Sequence, residues 1–207
     1  MREFTGNPAP LTEADFQRAA NALGCSPAAL RAVCDVESGG GFLPDARPRI
    51  LFERHVFSRL TRRRFDAAHP RIASRVPGGY RGGAAEYDRL AAAIALDRRA
   101  ALQSASWGAF QIMGFNHKPA GFADVEAFVA AMVSGQGAQL DAFARFLKAT
   151  GLAAALARHD WPAFARGYNG PDYAKNQYDT KLAKAFARHT AANPSPSSSR
   201  GGGSAQR

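Results

Sequence analysis

Cysteine is almost missing from this chain: Cys25 and Cys34 are the only two in 207 residues. The first precedes a segment with helical signals and the second lies inside it. At 1.5 Å per residue they stand roughly 12 Å apart, beyond the roughly 7 Å Cα separation that a disulfide tolerates. A disulfide-stapled scaffold is excluded, and two free thiols are expected, in keeping with assembly in a reducing cytoplasm. Long apolar runs are missing too. Each is broken by Arg, Asp or Gly well short of the roughly 18 residues that cross a bilayer, so a soluble protein is expected. The opening Met-Arg-Glu-Phe-Thr-Gly-Asn-Pro has neither an apolar stretch nor a small-residue cleavage site, and no secretory signal is expected. His55, His69, His117, His159 and His189 stand singly, and two cysteines alone make a poor ligand set. Neither a metal site nor a cofactor is expected.

Negative charge is scarce: 17 Asp and Glu face 27 Lys and Arg, a net charge of +10. The excess is concentrated. Between Pro44 and Arg75, nine arginines (47, 49, 54, 59, 62, 63, 64, 71, 75) stand against only Asp45, Glu53 and Asp66. Such a segment faces a polyanion, for which nucleic acid, anionic wall polymers and lipopolysaccharide qualify, or it is a solvated basic face that aids solubility.

With 46% hydrophobic residues, the chain can bury a full core. The composition divides into an N-terminal arm over residues 1–10, one domain over 11–190 and a Pro/Ser/Gly-rich tail over 191–207, which is expected to be disordered. A monomer is expected. The domain reads as mainly α. Thr12, with Asp15 three residues on and a Leu11 to Phe16 staple, starts a helix that stops near Leu23 and Gly24. Further helices are expected over 54–61, from Ala84, from Asp97 to Ser104, over 125–133, 135–150, 160–166 and 173–188. A small β element, a hairpin or short strand, is expected near residues 42–54 around Ile50-Leu51-Phe52, and residues 62–83 read as an extended basic loop.

The most informative helix runs from the N-cap Ser26 and Pro27 to Glu37, just before Ser38-Gly39-Gly40-Gly41. Counting back three, four and seven residues from Glu37 gives Cys34, Val33 and Leu30, so its carboxylate shares the stripe that the helix must bury. Partial burial and the negative helix end both disfavour its ionised form. A carboxylic acid that keeps its proton near neutral pH is the general acid that glycosidic cleavage needs. The plainer alternative is a glutamate turned to solvent or paired with Arg31.

Glu37-Ser38-Gly39-Gly40 is followed about 70 residues later by Trp107-Gly108-Ala109-Phe110-Gln111-Ile112-Met113, and then by Tyr168-Asn169-Gly170-Pro171. In this order the motifs resemble the signature of the lysozyme-like superfamily, which includes goose-type lysozymes and lytic transglycosylases. The chain is similar, from about Leu11 to Arg188, to the phage N-acetylmuramidase (endolysin) domain. Ile50-Leu51-Phe52-Glu53-Arg54-His55 and Ser104-Ala105-Ser106-Trp107-Gly108 also carry the likeness.

The resemblance implies a lysozyme-like helical fold and hydrolysis of the β-1,4 bond between N-acetylmuramic acid and N-acetylglucosamine in peptidoglycan, with Glu37 as proton donor. Gln111 would bind sugar N-acetyl or hydroxyl groups, or cap a helix end. Tyr168 and Asn169 would line the same cleft, unless Asn169 is a turn residue. Trp107 would stack on a sugar face or belong to the core. A glycosidase usually needs a second carboxylate, about 5 Å away as nucleophile or about 6.5–9.5 Å away as base. Glu53 is the candidate, with a structural ion pair as its alternative. The partner is then the glycan strand, with the basic 44–75 segment on an anionic envelope and no obligatory nucleic acid. Two other functions share these features: a lytic transglycosylase giving 1,6-anhydro products, and a noncatalytic basic module.

Overall fold

The computed structural model describes residues 2–192. The tail expected from residue 191 onward therefore lies, apart from Ala191 and Ala192, outside the described residues. In chain order the helices are α1 (Glu13–Leu23), α2 (Pro27–Glu37), α3 (Arg54–Leu60), α4 (Glu86–Ile94), α5 (Arg98–Gln103), α6 (Val125–Ser134), α7 (Gln136–Ala149), α8 (Ala153–Ala157), α9 (Trp161–Asn169) and α10 (Tyr178–Ala192). Three short strands, β1 (Ile50–Phe52), β2 (Ala105–Trp107) and β3 (Ile112–Met113), form an antiparallel sheet in that order. Ile50 pairs with Trp107, and Trp107 with Ile112. The molecule is mainly helical with a small β element, as expected, but only β1 falls within residues 42–54.

The cap chemistry sets the first two helices. Thr12 Oγ1 accepts from the Asp15 backbone N–H while the Asp15 carboxylate accepts from the Thr12 backbone N–H, and Gly24 closes α1 at φ 68°. Ser26 accepts from the Ala29 N–H at the head of α2, and Pro27 occupies the first turn. Leu30 and Val33 are fully buried. They face inward where α2 packs against α10 and α1. Ser38, in extended conformation, ends α2, and Gly40 takes the left-handed turn that follows at φ 91°.

Three expectations are revised. The N-terminal arm, set apart from the domain by composition, is in part packed into it: Phe4 is 2% exposed, with its ring 5.7 Å from Tyr87 and 5.6 Å from Trp107. Residues 62–83 are not extended throughout: turns occupy 62–68 and 70–72 up to buried Ala73, only 77–82 run without turn, bend or helix, and the loop is stitched by Ser58 Oγ to Asp66 at 2.9 Å and by Arg54 to the Val76 carbonyl at 2.8 Å. Helix α9 continues past residue 166 to Asn169, so Tyr168 and Asn169 sit on its last turn.

A buried ion pair that the hydrophobic pattern did not announce fastens the sheet edge. Glu86 and Arg89 are buried one turn apart on α4, with Arg89 2.7 Å from Glu86 Oε2. Glu86 also accepts from the backbone N–H groups of Phe52, Arg81 and Gly82, while Arg89 donates to the Phe52 carbonyl. Burial pushes the Glu86 carboxyl up, but these donors together outweigh it and hold the group below its ordinary value of 4.5.

Candidate active site

Glu37 ends α2 half-buried at one wall of a cavity of about 440 Å³, faced by Phe110, Gln111, Tyr168 and Asn169. Arg31, its possible partner by sequence, is bound instead to Glu13 and lies over the Phe16 ring. The Asn169 side-chain amide donates to Glu37 Oε1 at 2.9 Å. Loss of water around Glu37 raises its proton affinity, and the Asn169 amide and the positive charge of Lys181 only partly counter this. The net result is a carboxyl group that ionises above its ordinary value of 4.5.

An aromatic column supports the opposite wall. Phe110 stacks on Phe143 with ring centroids 4.1 Å apart, Tyr168 meets Phe143 edge-on at 5.5 Å, and Phe164 stacks on Tyr168 at 5.8 Å. The Tyr168 hydroxyl donates to the Phe110 carbonyl at 2.8 Å. Tyr168 is thereby fixed, and with it the turn of α9 that presents Asn169. Burial is the main reason that the phenol stays protonated far beyond neutral pH, and the nearby Glu37 charge adds to it.

Gln111 closes the β2–β3 turn at φ 47°, a left-handed conformation that costs a non-glycine residue of order 1 kcal/mol. Its side chain holds the strain in place. Nε2 donates to the Gly108 carbonyl at 2.8 Å and to the Arg49 carbonyl at 3.3 Å, and Oε1 accepts from the Ser106 hydroxyl at 2.8 Å. The amide is thus largely spent on its own turn and does not cap a helix. Gln111 also borders a second cavity of about 260 Å³, whose walls include Gly39, Gly40, Arg49, Gly82 and Gly83, so the two cavities meet at this residue.

Two residues proposed from sequence lie elsewhere. Trp107 is 0% exposed, with its indole N–H on the Leu102 carbonyl at 3.1 Å, and it cannot present a face to a sugar. A large ring at the middle strand of the sheet fills the core. Glu53 lines neither cavity. Its carboxylate accepts from the Tyr80 hydroxyl at 2.9 Å and lies 3.1 Å from His55 Nδ1, so it is engaged in holding the loop that carries Tyr80.

Two residues went unnoticed in the sequence. Gln139, 1% exposed on the first turn of α7, accepts from the Ala109 N–H at 2.8 Å and donates to the Met132 carbonyl at 2.8 Å, pinning the β2–β3 turn to the helical core. A Cβ on Gly108 would come 2.7 Å from Gln139 Cδ, so the close approach requires glycine there. Arg49 donates to the Gly39 carbonyl and steadies the glycine turn after Glu37. A glutamine inside a helical stripe is the only signal that Gln139 offers.

The family model described as N-acetylmuramidase matches residues 26–190. Among solved structures, the crystal structure of a Burkholderia AP3 phage endolysin is 49% identical and superposes with a TM-score of 0.86 over 89% of this chain and 73% of that one. Comparison with curated proteins returns no match.

Proposed function

The chain belongs to the N-acetylmuramidase family, and from that premise we propose that Glu37 is the general acid that splits the β-1,4 bond between N-acetylmuramic acid and N-acetylglucosamine. The chain is a peptidoglycan hydrolase, a glycosidase acting on the glycan of the wall. The carrying observation for Glu37 is its setting: it is the one carboxylate among the residues that line the two cavities bordered by Gln111, and partial burial keeps it protonated above the ordinary range.

In the proposed reaction the glycosidic oxygen takes the Glu37 proton and the bond from that oxygen to C1 of the muramic sugar breaks. Positive charge develops at C1 as in an oxocarbenium ion, water adds there, and the proton it releases restores Glu37. Asn169 donates to the carboxylate left after proton transfer, lowering the cost of forming it. Tyr168 holds the wall against which the sugar lies. Gln111 Oε1 has a second lone pair, beyond the one used by Ser106, to accept from a sugar hydroxyl. The basic 44–75 segment is read as a contact for the anionic envelope. No helix among the described residues is long and apolar enough to cross a membrane.

Mass spectrometry of digested peptidoglycan tests the bond assignment. Reducing-end N-acetylmuramic acid is expected, and anhydro-muropeptides or N-acetylglucosamine ends would overturn it. Glu53→Gln should keep hydrolysis within about tenfold of the parent, because the residue acts by holding Tyr80. A nucleophile or base would cost about 10²–10⁴-fold in the same assay. Trp107→Phe should leave KM for peptidoglycan unchanged while lowering Tm, through a lost indole hydrogen bond of about 1 kcal/mol and a smaller ring. A raised KM at unchanged Tm would instead restore Trp107 as a sugar platform.

A further inference from the structure

Eight of the nine arginines of the 44–75 segment divide into two groups, and the ninth, Arg71, lines a separate cavity with Arg54 and Asp88. Arg47 pairs with Asp45, Arg49 and Arg54 donate to backbone carbonyls, and Arg64 pairs with Asp97. Arg59, Arg62, Arg63 and Arg75 make no ion pair among the described residues, yet they converge with His55 and Ser58 on one cavity of about 640 Å³. Two carboxylates stand behind the lining, Asp66 accepting from Ser58 Oγ and Glu53 lying 3.1 Å from His55 Nδ1, but neither makes an ion pair with these four arginines among the described residues.

The backbone at this cavity is an independent sign. Helix α3 ends with the Arg62 N–H on the Arg59 carbonyl at 3.1 Å and the Arg63 N–H on the Ser58 carbonyl at 2.7 Å. Such a cap calls for left-handed backbone, which glycine adopts without penalty. This chain instead places arginine there twice in succession, at φ 54° and φ 63°. Strain and like-charge repulsion are therefore concentrated at one exposed spot, and the side chains gained are two more cationic forks directed at the same concavity.

We propose that this cavity is a binding site for a terminal phosphate group. A carboxylate is satisfied by a single bidentate guanidinium, whereas a tetrahedral phosphate dianion presents oxygens to several at once. A concave site takes a terminal group; a phosphodiester backbone would need a stripe. The biological setting rests on the envelope contact read above, where phosphorylated glycolipids and polymers display such groups. Binding itself does not depend on that reading or on Glu37.

The test is calorimetric titration of the full chain with pyrophosphate, alongside sedimentation with phosphatidylcholine vesicles with and without phosphatidic acid. One pyrophosphate should bind per chain, more weakly as salt rises. The Arg62→Gly/Arg63→Gly double variant should bind at least about tenfold more weakly, with Tm not lowered and hydrolysis of purified peptidoglycan unchanged. Arg59→Gln/Arg75→Gln, at exposed positions, should show the same loss without touching the α3 cap. Equal binding by parent and both variants, or no binding, would overturn the proposal, as would duplex DNA held through these arginines and not displaced by pyrophosphate. Pyrophosphate binding without recruitment to phosphatidic acid vesicles would uphold the site, assign it a soluble phosphate and dismiss the envelope contact.

Discussion

Glu37→Gln should reduce peptidoglycan hydrolysis by about 10²–10⁴-fold, the usual contribution of a positioned general acid, in a protein that remains folded. The amide preserves shape and polarity but has no proton of suitable acidity to give. The pH dependence carries the same assignment further. Glu37 acts in its protonated form, so parental activity should fall on the alkaline side as the raised ionisation is passed. Asn169 favours the carboxylate by donating to it, so Asn169→Ala should move that alkaline limb to still higher pH. A limb that moves down, or does not move, would separate Asn169 from the titration of Glu37.

Stability gives a second reading of the same group. The folded-state value of Glu37 lies above the ordinary 4.5, so its contribution is complete below about pH 4.5 and is lost as pH rises through the folded-state value. Glu37→Gln cannot ionise. Thermal melts should therefore show it level with the parent near about pH 4 and more stable near about pH 8. An active-site substitution that slows turnover and raises Tm only in the alkaline range is the outcome expected of a half-buried acid. A Tm gain that is the same at both pH values would show that the carboxyl is not held out of water.

The second large effect lies away from the acid. Glu86→Ala should cost about 3–5 kcal/mol, because it strands the Arg89 charge in the interior and leaves the Phe52, Arg81 and Gly82 N–H groups without their acceptor. For a chain of this size that is a fall in Tm of about 6–20 °C. The pair's contribution has the opposite pH sense from that of Glu37. The Glu86 carboxyl is held below 4.5, so its contribution is present above that value and is lost as pH falls through the folded-state value. Glu86→Leu combined with Arg89→Met should recover much of the loss, since an apolar pair leaves no unpaired charge. Activity should not recover in parallel. Glu86 also fixes the turn whose Gly82 and Gly83 wall the second cavity, and this duty needs its carboxylate. If the double variant regained full hydrolysis, the turn would need no such tether.

What could be read from the sequence was the part written in short-range chemistry. Thr12 with Asp15, Ser26 with Pro27, and Asp97 are local caps, and the helices they begin are where those signals put them. Glu37 was legible because the stripe through Leu30 and Val33 fixes which way a residue four positions beyond Val33 must point. The β2–β3 hairpin was not. Two strands of three and two residues carry too little alternation to stand out, and their pairing depends on Gln139, which lies 30 residues from the Ala109 it holds. Asn169 was expected to line the cleft, but its reach to Glu37 across 132 residues of chain was not legible, because that partnership is created only by the packing of both α2 and α9 against α10. For Trp107 residue type suggested a platform and burial decided otherwise, while Glu53 lies outside both cavities with its carboxylate on the Tyr80 hydroxyl, neighbours that its sequence position does not announce.

The seat of Phe4 bears on how this unit is to be transplanted. The family match begins at residue 26, but the hydrophobic interior begins earlier, with Phe4 between Tyr87 and Trp107 and with Phe16, Ala20 and Leu23 of α1. A chimera spliced at the match boundary would leave a hole beneath the sheet and bare one side of the helix that ends in the acid. Grafts onto foreign binding modules should keep the chain from Arg2 onward and attach their linker upstream of it.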